Sequence, residues 1–244
     1  MTEKMVTLVT GAASGIGYAT ARHILRTRGD HLIFSDRASK LADASALEFG
    51  GIYIPADVTN EEEVQALYDE IIKVHGKINN VIHCAGIEEK NTPAIDMPAD
   101  VFRRTLDVNV TGSFLVARGA AQRMAGNGPG SIVLIGSILS VVGYAGLSAY
   151  CASKGAVLQL AKAMALELAA AGVRVNVVGP GFVETPMAHS LRNPTTRQSL
   201  LAQIPAARPA LPEEVSRLCA FLTSPESEYI TGAYIPVDGG YIAR

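Results

Sequence analysis

Seven short runs of apolar, largely β-branched residues recur along this chain, and helix-like stretches fill the intervals between them. The runs are Met5 to Thr10, His31 to Ser35, Ile52 to Pro55, Asn80 to Cys84, Ser131 to Ile135, Val173 to Val178 and Ala233 to Val237. They are apolar throughout and do not alternate with polar residues, which is the pattern of strands covered on both faces. Helical patterns lie between them at Ile16 to Arg28, Glu61 to His75, Ala99 to Met124, Ser148 to Ala170 and Pro212 to Thr223. A strand, a helix and a further strand in repetition demand right-handed crossovers. The predicted fold class is therefore α/β, a Rossmann-like doubly wound parallel sheet of about seven strands with helices on both faces. At 244 residues, one domain over 1–244 suffices. Gly179 to Pro212 reads as the one long irregular segment, with a substrate loop over roughly residues 185–210.

Composition narrows the partners. A formal net charge of −2 argues against a basic nucleic-acid surface. Cys84, Cys151 and Cys219 have neither metal-type spacing nor an even count, which favours a reducing, cytoplasmic setting. No secretory pattern opens the sequence. Residues 125–153 carry no charge, yet Gly and Ser interrupt them every few positions, so they read as a buried strand and a cleft loop and not as a membrane helix. The five histidines show no metal spacing, and no metal is expected.

The first strand runs into Thr10-Gly-Ala-Ala-Ser-Gly-Ile-Gly17 and then a helix. Gly11, Gly15 and Gly17 suit a tight turn that brings backbone close to a pyrophosphate at a helix N-terminus. The spacing differs from the usual dinucleotide fingerprint, and an ordinary glycine-rich turn is the competing explanation. The second strand ends at Asp36, nineteen positions after Gly17. A carboxylate there accepts from ribose hydroxyls and repels a 2′-phosphate, which favours NAD; the adjacent Arg37 leaves NADP open. Asp57 can reach an adenine edge or cap the helix beginning near Asn60.

Tyr150 and Lys154 share one face of a helix, and of eight tyrosines only this one has Lys at +4. A phenol titrates near pH 10, and an ammonium beside it favours the phenolate, making Tyr150 a usable acid/base. Ser137 ends the fifth strand, where ligands of parallel sheets bind, and its hydroxyl can stabilise an oxyanion; Ser140 competes for that role. Asn109 lies within an apolar helical pattern, either as a satisfied core amide or as the holder of a water connected to Lys154. A Ser/His/Asp hydrolase is disfavoured, because Ile135-Gly-Ser-Ile-Leu lacks the closing Gly of a nucleophile elbow.

Together these residues resemble the short-chain dehydrogenase/reductase family in its single-domain form. The resemblance rests on Thr10 to Gly17, Asp57-Val, Asn109, Ser137, Tyr150-Cys-Ala-Ser-Lys154, Asn176, Pro180-Gly-Phe-Val-Glu-Thr-Pro-Met187 and Thr231 to Gly240. It implies that Tyr150 is the acid/base, that Lys154 lowers its pKa and binds the nicotinamide ribose, that Ser137 steadies the substrate oxygen, and that Asn109 anchors a relay water. It further places Gly11, Ser14, Ile16 and Gly17 at the phosphates, Asp36 at the ribose, and Asp57 with Val58 at the adenine. Ala85 and Gly86 would pass the adenosine ribose, while Pro180, Val183 and Thr185 would hold the nicotinamide. A homotetramer, or a homodimer, is implied, with the Ser148 to Ala170 helix in one interface. One departure stands out: the family's Asn-Asn-Ala-Gly reads His83-Cys84-Ala85-Gly86 here.

The expected reaction is hydride transfer between a nicotinamide and a small secondary alcohol or ketone, probed by Ser137, Leu139, Tyr144, Phe182 and Met187, with Ile138 and the 188–205 segment nearby. Glu88, Glu89 and Lys90 suit a polar substrate such as a sugar, polyol or hydroxy acid, or form a merely solvated loop. An NADPH-dependent 3-oxoacyl thioester reductase and a non-catalytic nucleotide sensor are the competing functions; Ser137, Tyr150 and Lys154 together argue against the sensor.

Overall fold

The computed structural model describes residues 4–37, 50–188 and 193–243. Its strands are β1 Val6–Thr10, β2 His31–Ser35, β3 Ile52–Tyr53, β4 Asn80–His83, β5 Gly130–Ile135, β6 Val173–Pro180 and β7 Tyr234–Val237. All pair in parallel, in the order β3-β2-β1-β4-β5-β6-β7. The helices are α1 Gly15–Thr27, α2 Glu61–His75, α3 Ala99–Leu106, α4 Gly112–Met124, α5 Ser148–Leu168, α6 Pro194–Leu201 and α7 Pro212–Leu222.

The continuous apolar character of the strands has a direct cause. Alternate residues feed two separate cores. Leu8, Val81, Ile132, Leu134, Val175 and Val177 face α2, α4 and α5. Val9, Ile82, Val133 and Val178 face α1 and α7. Period-2 geometry sends neighbours to opposite faces, so burial of both faces erases any polar alternation. Helix ends follow local chemistry. Asn60 caps α2 by accepting from Glu62 N and Glu63 N at 3.0 and 3.3 Å, three glutamates occupy its first turn, and Gly76 closes it at φ +71°.

Three expectations need correction. The third run is strand only over Ile52–Tyr53, although Ile54 N and Ala56 N still donate to Phe34 O and Asp36 O at 3.0 Å. Pro55 between them has no N–H to give, which thins the ladder. The Ala99 to Met124 helix is interrupted by a π-helical turn at Asp107–Thr111, centred on the fully buried Asn109. Such bulges mark places where a side chain is turned to a specific task. The irregular segment after Gly179 is shorter than expected: β6 extends to Pro180, and α6 begins where Asn193 accepts from Thr196 N at 3.0 Å ahead of Pro194. Residues 189–192 of the expected substrate loop lie outside the described residues. Among the described residues no helix is long and apolar enough to cross a membrane, and no His/Cys/Asp/Glu group could hold a metal ion.

The strand order reverses between β1 and β4, each reaching out to one side of the sheet. A crevice necessarily opens there, beyond the carboxyl ends of the strands.

Candidate active site

That crevice is a cavity of about 1040 Å³. The residues that follow the central strands directly, Gly11, Cys84, Gly136 and Gly181, all line it. Gly11, Ser14 to Gly17, Asp36, Asp57, Val58, Ala85, Gly86, Ser137, Leu139, Tyr144, Tyr150, Lys154, Pro180, Phe182, Val183, Thr185 and Met187, expected from the sequence to face cofactor or substrate, line this same cavity, whereas of the expected 188–205 segment only Ala188 does among the described residues. Asn109 does not, because it stands behind the wall.

At one end lies the glycine turn. Gly11 has φ +64°, and a Cβ there would sit 2.6 Å from Ala85 N. A Cβ on Gly17 would fall 2.2 Å from Gly11 O. Both contacts are with backbone that cannot yield, so glycine is required by packing as well as by any ligand. Ser14 is the N-cap of α1, yet its side chain makes no capping hydrogen bond. The first turn of α1 therefore presents amides to the cavity without an internal acceptor, the arrangement that binds a phosphate. Thr185 leans over the turn, 3.3 Å from where a Gly15 Cβ would be. This cradle, with an acid beyond it, fits a dinucleotide. Asp36 Oδ2 accepts from Ala13 N at 3.1 Å and Oδ1 from Arg37 N at 2.8 Å, which fixes the carboxylate at the rim with further lone pairs available. Asp57 neither caps α2 nor stands free: its Oδ1 accepts from Thr59 N and Oγ1 at 2.9 and 2.7 Å, and these bonds lower its pKa.

The other end is chemical. Lys154 is buried at 5 % exposure; its Nζ donates to Ile135 O at 2.8 Å and lies 5.5 Å from the Tyr150 ring centroid. Burial lowers its pKa to about 8. Ser137 lies two residues beyond the end of β5 and opens a short 3₁₀ turn by accepting from Leu139 N at 3.1 Å, while Ser140 Oγ accepts from Ser137 N at 3.2 Å. That bond ties Ser140 to the turn, and Ser137 stands against Tyr150. Tyr234 Oη anchors the turn from β7 by donating to Ser137 O at 2.9 Å.

The expectation that Lys154 pulls the phenol down is not met in the protein by itself. Burial raises the Tyr150 pKa, Glu88 adds to the rise, and only a Ser137 hydrogen bond opposes them. Lys154 Nζ is bonded to the Ile135 carbonyl and lies over the Tyr150 ring. Asn109 makes the contacts of a core amide. Its Oδ1 accepts from Ile87 N at 2.8 Å, and its Nδ2 donates to Ile87 O and Ser153 Oγ, both at 2.9 Å. Ser153 Oγ donates in turn to Tyr150 O at 2.8 Å. The amide is a satisfied core group that stitches the loop after β4 to the turn carrying Tyr150.

Glu89 is the functional neighbour that sequence reasoning missed. The sequence suggests either a group for a polar substrate or a solvated loop, but Glu89 is buried at 7 % exposure. Its Oε1 accepts from Tyr150 N at 3.0 Å, and its Oε2 has no partner. The N-cap of α5 is Leu147, which has no side-chain acceptor, so a carboxylate from a distant loop caps α5 instead. The available signal was a leucine where a cap residue belongs. The departure at His83-Cys84 is partly compensated. His83 Nδ1 and Thr10 Oγ1 share a hydrogen bond of 2.8 Å that ties β4 to β1; Nε2 has no partner, and burial holds the ring neutral with a pKa of about 3. Asn176 braces the far strands by donating to Ile230 O at 2.7 Å and accepting from Ala233 N at 3.0 Å.

Comparison with known proteins agrees with this geometry. The family model described as Enoyl-(Acyl carrier protein) reductase matches residues 11–242. The chain is 39 % identical over 242 residues to the cis-4-hydroxycyclohexanecarboxylate dehydrogenase of Sinomonas cyclohexanicum, covering 98 % of this chain and 96 % of that one. It is 37 % identical over 241 residues to the galactitol 2-dehydrogenase (L-tagatose-forming) of Cereibacter sphaeroides, covering 96 % and 93 %. A short-chain type dehydrogenase/reductase from Mycobacterium ulcerans superposes with a TM-score of 0.95 at 32 % identity, covering 99 % and 91 %. A glycine cradle at one end of the crevice, a Ser/Tyr/Lys set at the other and matches of this length have one reading: the chain belongs to the short-chain dehydrogenase/reductase family, whose members are NAD(P)-dependent oxidoreductases acting on CH–OH groups.

Proposed function

We propose that this protein is an NAD-preferring dehydrogenase of a small, polar secondary alcohol, with Tyr150 as its acid/base. The observation that carries the reading is the span of one cavity from Asp36 to Tyr150, with the glycine turn between. When bound, the dinucleotide supplies the hydride acceptor. Tyr150 takes the carbinol proton at its phenol oxygen during oxidation and returns it during reduction. Ser137 holds the substrate oxygen through its hydroxyl. Lys154 steadies the nicotinamide ribose and contributes positive charge to the site, while Asn109 and Glu89 keep the Tyr150 turn in place. Gly11, Ser14, Gly15, Ile16 and Gly17 cradle the phosphates, Asp36 accepts from the adenosine ribose, and Asp57 and Val58 flank the adenine. Ala85 and Gly86 run beside that ribose; Pro180, Val183 and Thr185 enclose the nicotinamide. Leu139, Tyr144, Phe182 and Met187 frame the substrate.

A second cofactor reading, NADP, rests on Arg37 at the cavity rim beside Asp36. Initial rates with NAD⁺ and NADP⁺ on a panel of secondary alcohols, with 3-oxoacyl thioesters run in reverse, decide the matter. The proposal expects NAD⁺ to be favoured at least about tenfold, one well-placed carboxylate interaction; a preference for NADP⁺ overturns the role of Asp36. A cytoplasmic homotetramer or homodimer completes the proposal; the three free cysteines support the reducing compartment.

A further inference from the structure

Two carboxylates of the loop after β4 line the chemical end of the cavity, and the acid/base chemistry just described has no use for one of them. Glu88 makes no hydrogen bond or ion pair through its carboxylate among the described residues. Solvent reaches the residue through the open cleft. Glu88 is exposed as a residue, and partial desolvation of its carboxyl by the cleft walls, with the Glu89 charge behind it, raises its pKa to about 7. The same carboxylate raises the phenols of both Tyr150 and Tyr144, so it stands within electrostatic reach of each. Glu89 lies behind it, 7 % exposed, with one oxygen bonded to Tyr150 N and the other unpartnered. Lys90 also lines the cavity but forms no ion pair with either acid among the described residues. The remaining framing side chains, Leu139, Phe182 and Met187, offer no donor.

A carboxylate that lines the cleft and is unused by the protein loses water when a ligand packs against it, and a donor on the ligand then replaces that water. We infer that Glu88 selects the substrate: its carboxylate accepts a hydrogen bond from a hydroxyl or ammonium group on a carbon next to the reacting carbinol. Hydroxy acids are disfavoured, because a carboxylate at that position meets Glu88 and Glu89 as like charges. This narrows the polar-alcohol reading to polyols and amino alcohols, and it rests on that reading.

A matched series isolates the contact: cyclohexanol, 1,2-cyclohexanediol, 2-aminocyclohexanol and 2-hydroxycyclohexanecarboxylate, assayed as kcat/KM with the protein and NAD⁺. Ratios to cyclohexanol are the readout, since removing the charge also acts on Tyr150 for every substrate alike. The protein should favour the diol or the amino alcohol about 10- to 100-fold over cyclohexanol, the range of a hydrogen bond to a charged group, and should use the hydroxy acid least. Glu88→Leu should bring all ratios near one. Glu88→Gln separates the two donors, keeping part of a hydroxyl preference and losing an ammonium preference. Equal ratios in the protein and in Glu88→Leu overturn the inference. Binding of the same series to Tyr150→Phe with NAD⁺, followed by calorimetry, separates the two claims. Glu88-dependent discrimination in binding without turnover in the intact protein retains the inference and sinks the dehydrogenase reading. Absence of discrimination in both assays sinks the inference.

Discussion

Replacing Glu89 with alanine removes the acceptor that holds Tyr150 N, and the structure sets the size of the effect. The bond is 3.0 Å long, the carboxylate is 7 % exposed, and Leu147 cannot substitute as a cap. Losing a helix N-terminal acceptor costs about 0.5–2 kcal/mol. Removing the unpartnered Oε2 offsets part of this, and the space left by the side chain adds to it. A net loss of about 1–2 kcal/mol lowers Tm by roughly 2–8 °C in a chain of this length. Glu89→Gln keeps an oxygen for Tyr150 N and loses only the charge at the helix N-terminus, worth about 0.3–1 kcal/mol. Its stability should therefore fall between those of the protein and the alanine variant. Turnover should follow the same order, with kcat down about tenfold or more in Glu89→Ala, because the bond positions the turn that carries Tyr150. Thermal melts and steady-state kinetics on the three proteins give the answer. A Glu89→Ala protein with unchanged Tm and kcat refutes the capping argument. Equal losses in Gln and Ala would assign the effect to charge alone and not to the hydrogen bond.

Three further outcomes follow from the same geometry. Gly17→Ala places a methyl 2.2 Å from Gly11 O, so the turn must shift and dinucleotide affinity should fall at least tenfold, measured by fluorescence titration of the reduced cofactor. Because burial and Glu88 raise the Tyr150 pKa, alcohol oxidation should climb through the alkaline range, and Glu88→Gln should move that limb to lower pH; a limb that stays in place removes Glu88 from the phenol's surroundings. His83 has a folded pKa of about 3, below its unfolded value of 6.5, so the unfolded state binds the extra proton. Stability is therefore lost as pH falls from 6.5 towards 3, at about 1.4 kcal/mol per pH unit from this residue, and His83→Asn should flatten that slope in urea denaturation between pH 7 and 5.

The fold was legible because burial on both faces writes itself into the strands. His31–Ser35 and Glu61–His75 fall where the pattern puts them, since Ser35 and Asp36 end an apolar run and Asn60 and Gly76 bracket an amphipathic one. Part of the cavity lining was legible for a related reason: Gly11, Asp36, Cys84, Gly136 and Gly181 directly follow strand ends, and the ends of parallel strands are where a crevice must open. What stayed hidden is non-local. Nothing in the order of residues says that Glu89 reaches Tyr150 N, sixty-one positions away, or that Asn109 binds Ile87 and Ser153 by breaking its helix into a π turn. The phenol's raised pKa is hidden likewise, because Lys154 at +4 is visible in sequence whereas burial and the Glu88 charge exist only in the folded cleft.

The central claim is that Tyr150 carries the proton of the reaction, and Tyr150→Phe tests it most directly. Phenylalanine keeps the ring beside Lys154 Nζ and removes only the hydroxyl. Dinucleotide affinity, followed by fluorescence titration, should stay within about threefold, while kcat should fall about 10²- to 10⁴-fold, the contribution of a positioned acid/base. Turnover that survives the substitution at near its original rate contradicts the account.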